Sequence, residues 1–359
     1  ALAALILLIW QPESLLAPGF QLSFAATIAL IAGYAPAERF LRDKGLSGWL
    51  VPVAMMVVTS GIAGLATAPF SAATFNQMTA YGLLANLLTV PVMSVLMGAG
   101  VVAALLAPVG LAAPALVVMG WAAQWILAVA HWIAGLNGAI TPVPQPGPWV
   151  IPLITLGALW ALIWQGRARL LGMGPLALAF GLWVTVERPA LLISSDGVLA
   201  GVLGPQGRAL SASRGAGFSA ESWLADDGDL ALQGEAATRA GFTGEKTQRA
   251  FQINGLRGVV LSGKEAGANV AAACAVADIV VLPARFGPAP LGPKGCTVID
   301  ATLLRQSGAL AGVLQDDGLL LVPVHRATRI WSGVTRPMKP LLLQPNAARF
   351  AALPGRPDP

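Results

Sequence analysis

Charge is what this sequence has least of. Charged residues make up 11% of its 359 positions and hydrophobic residues 56%, where a soluble domain carries about a quarter charged residues. The deficit is local. Up to Pro189 the basic residues are Arg39, Arg42, Lys44, Arg167, Arg169 and Arg188, and the acids are Glu13, Glu38, Asp43 and Glu187. The remaining basic and acidic residues follow Ala190 at an ordinary density. A single water-exposed globule is excluded, and the chain divides near residue 189 into a membrane half and a soluble half.

Histidine and cysteine are equally scarce. His131 and His325 are the only histidines, too few for a binuclear hydrolase centre, which gathers several imidazoles and carboxylates. Gly-rich "SRGAGFS" around Arg214 lacks the Gly-Lys-Ser/Thr ending of a P-loop and the spacing of a dinucleotide site, so it reads as a plain loop. Asp226, Asp227 and Asp229 read as a short acidic turn and His325 as a surface residue. No metal, no cofactor and no catalytic residue are expected. Cys274 and Cys296 are the only cysteines. In an oxidising compartment they form a candidate disulfide, closing the loop "PARFGPAPLGPKG", against the alternative of two buried thiols.

What the sequence does have is long apolar runs, at about 1–10, 18–37, 49–69, 79–107, 111–136, 149–165 and 170–187. Crossing a bilayer takes about 20 apolar residues, and most of these qualify. The first run, without a Met or a charged leader, reads as the end of a membrane helix in a longer protein. Arg39, Arg42 and Lys44 follow the second run, and Arg167 and Arg169 follow the sixth, whereas the loops at 70–80 and 137–148 are uncharged. Positive loops favour the cytoplasmic side. If 79–107 crosses once, both basic loops lie inside and the soluble half lies outside. Pro91, with Asn86 before it and Gly98 and Gly100 after it, suggests a kinked or broken helix in that run.

Polar groups at membrane depth need a partner or water. Gln21 and Ser23 sit in "PESLLAPGFQLSFAATIAL", with Pro18 placed for a first helical turn. They either bond a neighbouring helix or line a wet cavity, and composition does not separate the two. Trp121, Trp125 and Trp132, with His131, read as packing and interface residues.

Beyond residue 189, "ALLISSDGVLAGVLGPQGRALSAS" has the turns of a strand meander. "FSAESWLADDGD" reads as a helix starting after Ser219. "RGVVLSG", "ADIVVLPA" and "CTVIDATLL" read as buried strands, with an Ala-rich helix between the first two. "GALAGVLQDDGLLLVPV" reads as a hairpin turning at Asp317-Gly318. The expected architecture is a polytopic α-helical membrane domain over 1–188, a soluble α/β domain over 189–340, and a disordered tail over 341–359.

Two segments resemble the competence domain of ComEC-type DNA-uptake proteins. They are "PESLLAPGFQLSFAATIAL" and "FNQMTAYGLLANLLTVPVMSVLMGAG", in the family's order. The resemblance implies an inner-membrane channel that passes single-stranded DNA into the cytoplasm during natural transformation, alongside other DNA-uptake proteins and with room for a homo-oligomer. It puts Pro18, Gly19, Phe20, Gln21 and Ser23 in a first motif and Phe75, Asn76, Asn86 and Pro91 in a second. Thr74 stands where the family often has a His. Family members often end in a metallo-β-lactamase-like domain with a His-x-His-x-Asp-His metal cluster. Here the C-terminal segments resemble a reduced, ligand-free version, which implies no nuclease activity. The alternative reading is a secondary transporter or flippase for a small or lipid substrate.

Overall fold

A computed structural model describes residues 2–44, 48–286, 296–324 and 338–345. They form two compact units, Ala1–Val186 and Glu187–Pro359, divided two residues ahead of the boundary that charge density suggested.

The first unit is helical. α1 (Leu2–Trp10) leads through a 3-10 turn (Pro12–Leu16) into α2 (Pro18–Asp43), followed by α3 (Leu50–Phe75), β1 (Gln77–Thr79), α4 (Gly82–Leu106) and α5 (Ala113–Ala134). After these come β2 (Ile140–Pro142), α6 (Val150–Ile163), a 3-10 stretch (Gly166–Gly172) and α7 (Met173–Val184). Pro18 opens α2 at a position where the missing N–H costs nothing. Gly110, at φ 76°, makes the reversal between α4 and α5.

α2, α3, α4 with its 3-10 extension, and α5 are each long and apolar enough to cross a membrane. α4 runs unbroken through Pro91, so of the kinked and broken alternatives for 79–107 the broken helix is ruled out, and the run is long enough for a single crossing. The last two helices are shorter than their apolar runs. α6 has 14 residues and α7 has 12, below the roughly 17 needed to span. The chain turns extended at Trp164, reverses at Gly166 (φ 66°), and winds as 3-10 helix before α7 begins.

Successive helices pair: α2 with α3, α4 with α5, and α6 with α7. At Gly33 a Cβ would come 2.8 Å from Ile62 Cδ1, which marks the close approach of α2 and α3. β1 and β2 pair antiparallel, Gln77 with Pro142 and Thr79 with Ile140.

The second unit begins with β3 (Leu191–Ile193), β4 (Ala200–Gly204), β5 (Gly207–Leu210), α8 (Gly217–Asp226) and α9 (Gln233–Ala236). It continues with β6 (Gln248–Ile253), β7 (Leu256–Leu261), α10 (Val270–Val276), β8 (Ile279–Val281) and β9 (Thr297–Ile299). The last elements are α11 (Ala301–Ser307), β10 (Leu310–Gln315), β11 (Gly318–Pro323) and β12 (Leu341–Leu343). One sheet has the order β12-β11-β10-β3-β4-β5 and is antiparallel. The other has the order β6-β7-β8-β9, with β7, β8 and β9 parallel.

Alternate side chains sort the layers. Leu191, Ile193 and Val202 of the larger sheet share a core with Phe251, Val260, Ile279 and Ile299 of the smaller. On the far side of the smaller sheet, Val259, Leu261 and Val280 meet Val270 and Ala273 of α10. On the far side of the larger, Leu192, Leu199 and Leu210 meet Ala220, Trp223 and Leu224 of α8. The result is an α/β domain of four layers.

Three local expectations change. α8 starts at Gly217 rather than after Ser219, because Ala216 in the left-handed region already turns the chain into the helix. The β10–β11 turn is Asp316-Asp317, with Gly318 already paired to Gln315. Leu341–Leu343, assigned above to the tail, are β12: three leucines complete the edge of β11. His325 and residues 346–359 lie outside the described residues.

Candidate functional site

The first motif surrounds the entry to α2. Pro18 and Gly19 form its first turn, and Gln21 Nε2 donates to Leu15 O at 3.0 Å, back onto the preceding 3-10 turn. This bond is local, not to a neighbouring helix, and it fixes the angle at which the chain enters α2. Phe20 and Phe24, one turn apart, contact at 4.3 Å between ring centroids. Ser23 is exposed, and its hydroxyl bonds no described residue.

The second motif begins where α3 stops. Asn76 adopts the left-handed conformation (φ 54°, ψ 28°) that ends the helix, a position suited to Gly or Asn. Its Nδ2 donates to Gln145 Oε1 at 2.7 Å, and its carbonyl accepts from Val143 N at 2.8 Å. Trp183 Nε1 donates to Pro144 O at 2.9 Å, and Tyr81 OH to Asn137 O at 3.1 Å. The Pro-rich segment at 141–149 is thus fastened to α3 and α7 and runs beside β1. Phe75, 55% exposed, stands at the last turn of α3.

Asn86 lies in the second turn of α4, half-buried, with no hydrogen bond to a described residue. Pro91 has no N–H to give Leu87 O. The neighbouring carbonyl, Leu88 O, instead accepts from Trp125 Nε1 of α5 at 3.1 Å. Trp125, taken above as packing, braces α4 beside its proline. A proline in a membrane helix asks for such a donor, but only the α4–α5 register shows which tryptophan supplies it. His131 is held within α5, its Nδ1 2.8 Å from Leu127 O.

These pieces meet at one end of the unit. Successive helices alternate in direction, so the start of α2, the end of α3, the β1–β2 pair and the start of α4 share that end. With Gly33 facing Ile62, an antiparallel pairing brings Phe20 and Gln21 level with Thr74 and Phe75. Both motifs therefore lie at the same end of the helical unit. Glu13 is the charged side chain at this end before Glu187, while Arg39, Arg42 and Lys44 follow α2 at the other end and Arg167 and Arg169 lie at the α6–α7 tip, away from the motifs.

In the α/β domain two arginines are held by carboxylates. Arg208, fully buried, holds Asp227 through Nε (2.6 Å) and Nη2 (3.0 Å) and also reaches Pro189 O. Arg239 forms a two-pronged pair with Asp229. The hydrogen bond from Arg239 holds the Asp229 carboxyl below the usual carboxylate range, and Asp229 in turn raises the Arg239 guanidinium. Asp300 caps α11 through Thr302 N and Leu303 N. Among the described residues no three His, Cys, Asp or Glu side chains gather as metal ligands do. Cys274 of α10 is joined to Cys296 ahead of β9, with Cα atoms 5.5 Å apart.

The four long apolar helices and the two packed sheets define a multi-helix membrane protein that carries a four-layer α/β domain. Residues 1–168 match the family model described as Competence protein, a likeness that covers most of the helical unit and supports a general role in DNA uptake. No curated protein and no solved structure matches the chain significantly.

Proposed function

We propose that the helical unit forms part of an inner-membrane path that carries one strand of DNA into the cytoplasm during natural transformation. The observation that carries this reading is the meeting of both motif segments at one end of the helical unit, which has no basic residue before Arg188, with the cations toward the opposite end. Positive ends favour the cytoplasm, so the motif end faces the periplasm, where the strand arrives. The chain leaves the helical unit from this same end, and on this reading the α/β domain is periplasmic too.

Gln21, already bonded to Leu15 O, shapes the entry to α2 rather than offering its amide. Ser23, Asn86 and Phe75 are the groups open to water or to a strand. The α/β domain acts without hydrolysis, since Asp227, Asp229 and Asp300 are committed to arginines and a helix cap. Other uptake proteins deliver the strand, and further copies of the chain are compatible with the unit.

The test is deletion of the encoding gene in a transformable host, with DNA binding at the cell surface and transformation both measured. Normal binding with lost transformation is expected. Normal transformation overturns the reading and favours the transporter or flippase. In the restored strain, Asn86→Leu is expected to lower transformation at unchanged protein level.

A further inference from the structure

The α6–α7 hairpin is too short for its company. At 1.5 Å per residue, α6 and α7 run about 21 and 18 Å, whereas α2 to α5 run about 33 to 39 Å. The hydrocarbon core is about 30 Å thick. Trp149, 70% exposed just before α6, belongs at the interface of the motif end. Measured from there, the tip at 164–169 stops within the bilayer, short of the opposite headgroups.

The hairpin is also locked. A Cβ at Gly157 would lie 2.7 Å from Gly172 O, and one at Gly172 would lie 2.5 Å from Gly157 O, so the two backbones touch. Trp160 Nε1 donates to Ala168 O at 2.9 Å. Sliding one arm past the other to deepen the tip would break both contacts.

The tip reads "WQGRAR". Trp164 stacks on Trp160 with ring centroids 4.2 Å apart and planes 2° from parallel, and it is 48% exposed. Arg167 and Arg169 are exposed, and neither pairs with a carboxylate among the described residues. A guanidinium at that depth requires water or an anion. An immobilised indole face beside two guanidiniums offers what single-stranded nucleic acid needs: a surface for a base and charge for the phosphates on either side.

We propose that this tip is the exit contact of the strand, with Trp164 stacking a base and Arg167 and Arg169 holding flanking phosphates. The proposal rests on the DNA-path reading. It supplies the cations that the motif end lacks, on the side toward which the strand would leave. A lipid phosphate could satisfy the arginines, but it makes no use of a stacked indole pair.

The experiment uses the full chain in zwitterionic lipid nanodiscs and a fluorescein-labelled oligo-dT, with affinity read by anisotropy across a salt series. Arg167→Gln with Arg169→Gln should make the log–log salt slope shallower by about 1.4, at about 0.7 per single-strand phosphate contact. The paired Lys variant should restore most of it. Trp164→Leu should weaken binding roughly 5- to 100-fold, and Trp164→Phe should retain most of the affinity. Unchanged slope and affinity in the Gln and Leu variants overturn the exit contact. If Phe75→Leu still weakens binding, the path reading survives that result. A slope change seen only when anionic lipid is present marks the arginines as lipid anchors and also overturns it. Absence of binding by the unaltered chain removes both readings. Each variant is first checked for an unchanged elution volume and melting temperature.

Discussion

Asn76 and Gln145, 69 residues apart in sequence, are joined by a 2.7 Å hydrogen bond between their amides. Asn76 also ends α3 in the left-handed region, so one side chain stops a membrane helix and anchors the Pro-rich segment. Asn76→Ala should lose both contributions, about 1 kcal/mol for the bond and 1–2 for the backbone. Asn76→Gly should lose only the first, as should Gln145→Ala. Melting temperatures of the full chain in detergent should rank Asn76→Gly above Asn76→Ala. Equal losses would show that the backbone conformation carries no cost.

Gly157 and Gly172 make a matching prediction for the hairpin. Alanine at either forces backbone apart and should cost about 1–3 kcal/mol as overpacking. Gly174 and Gly181 have nothing within 4 Å of a Cβ, so alanine there should be near neutral or slightly stabilising in the helix. Thermal unfolding of the four single variants separates the pairs.

The Arg208–Asp227 pair is almost wholly buried. Arg208→Met leaves an unpaired carboxylate in the interior and should destabilise the α/β domain by about 3–5 kcal/mol. Replacing both residues with apolar ones of similar volume should cost much less. Denaturant titration of the single and double variants gives the coupling directly.

Asp229 titrates below its ordinary value because Arg239 donates to it. A depressed carboxylate contributes stability that is present above its unfolded pKa and is lost as pH falls through the folded one. The contribution should therefore be complete above about pH 5 and fade below pH 4. Asp229→Asn should lower the melting temperature at pH 7 and converge on the unaltered chain in acid. A constant gap down to pH 2 would refute the assignment.

Cys274 and Cys296 should show no free thiol under denaturing, non-reducing conditions, and two after reduction. The bridge closes a sequence separation of 22, worth about 3 kcal/mol in the chain-entropy description. Cys296→Ser should lower denaturant resistance by that order.

Much of this was legible in the sequence, for a physical reason. Runs such as 49–69 and 111–136 have no fate but membrane helices, and the return of charge after Pro189 announces a water-exposed domain. The strands of that domain announce themselves by β-branched runs such as "ADIVVLPA". What stayed hidden depends on register or on backbone conformation. The apolar run 149–165 looks long enough to span, yet the helix ends at Ile163 because Gly166 reverses the chain. Gln21 has several acceptors within reach, and only the 3-10 turn before α2 selects Leu15 O. Trp125 finds Leu88 O through the packing of α4 on α5. Asn76 carries the clearest unread signal: an Asn directly after an apolar helix suits a left-handed cap.

One consequence follows from the late strand β12. Leu341–Leu343 cover the outer rungs of β11, from Leu319 to Leu321. A recombinant piece trimmed before Pro340 would lay bare a row of backbone amides and carbonyls flanked by leucines, a template for chain-to-chain pairing. Solubility of the isolated domain therefore turns on a few residues near its far terminus.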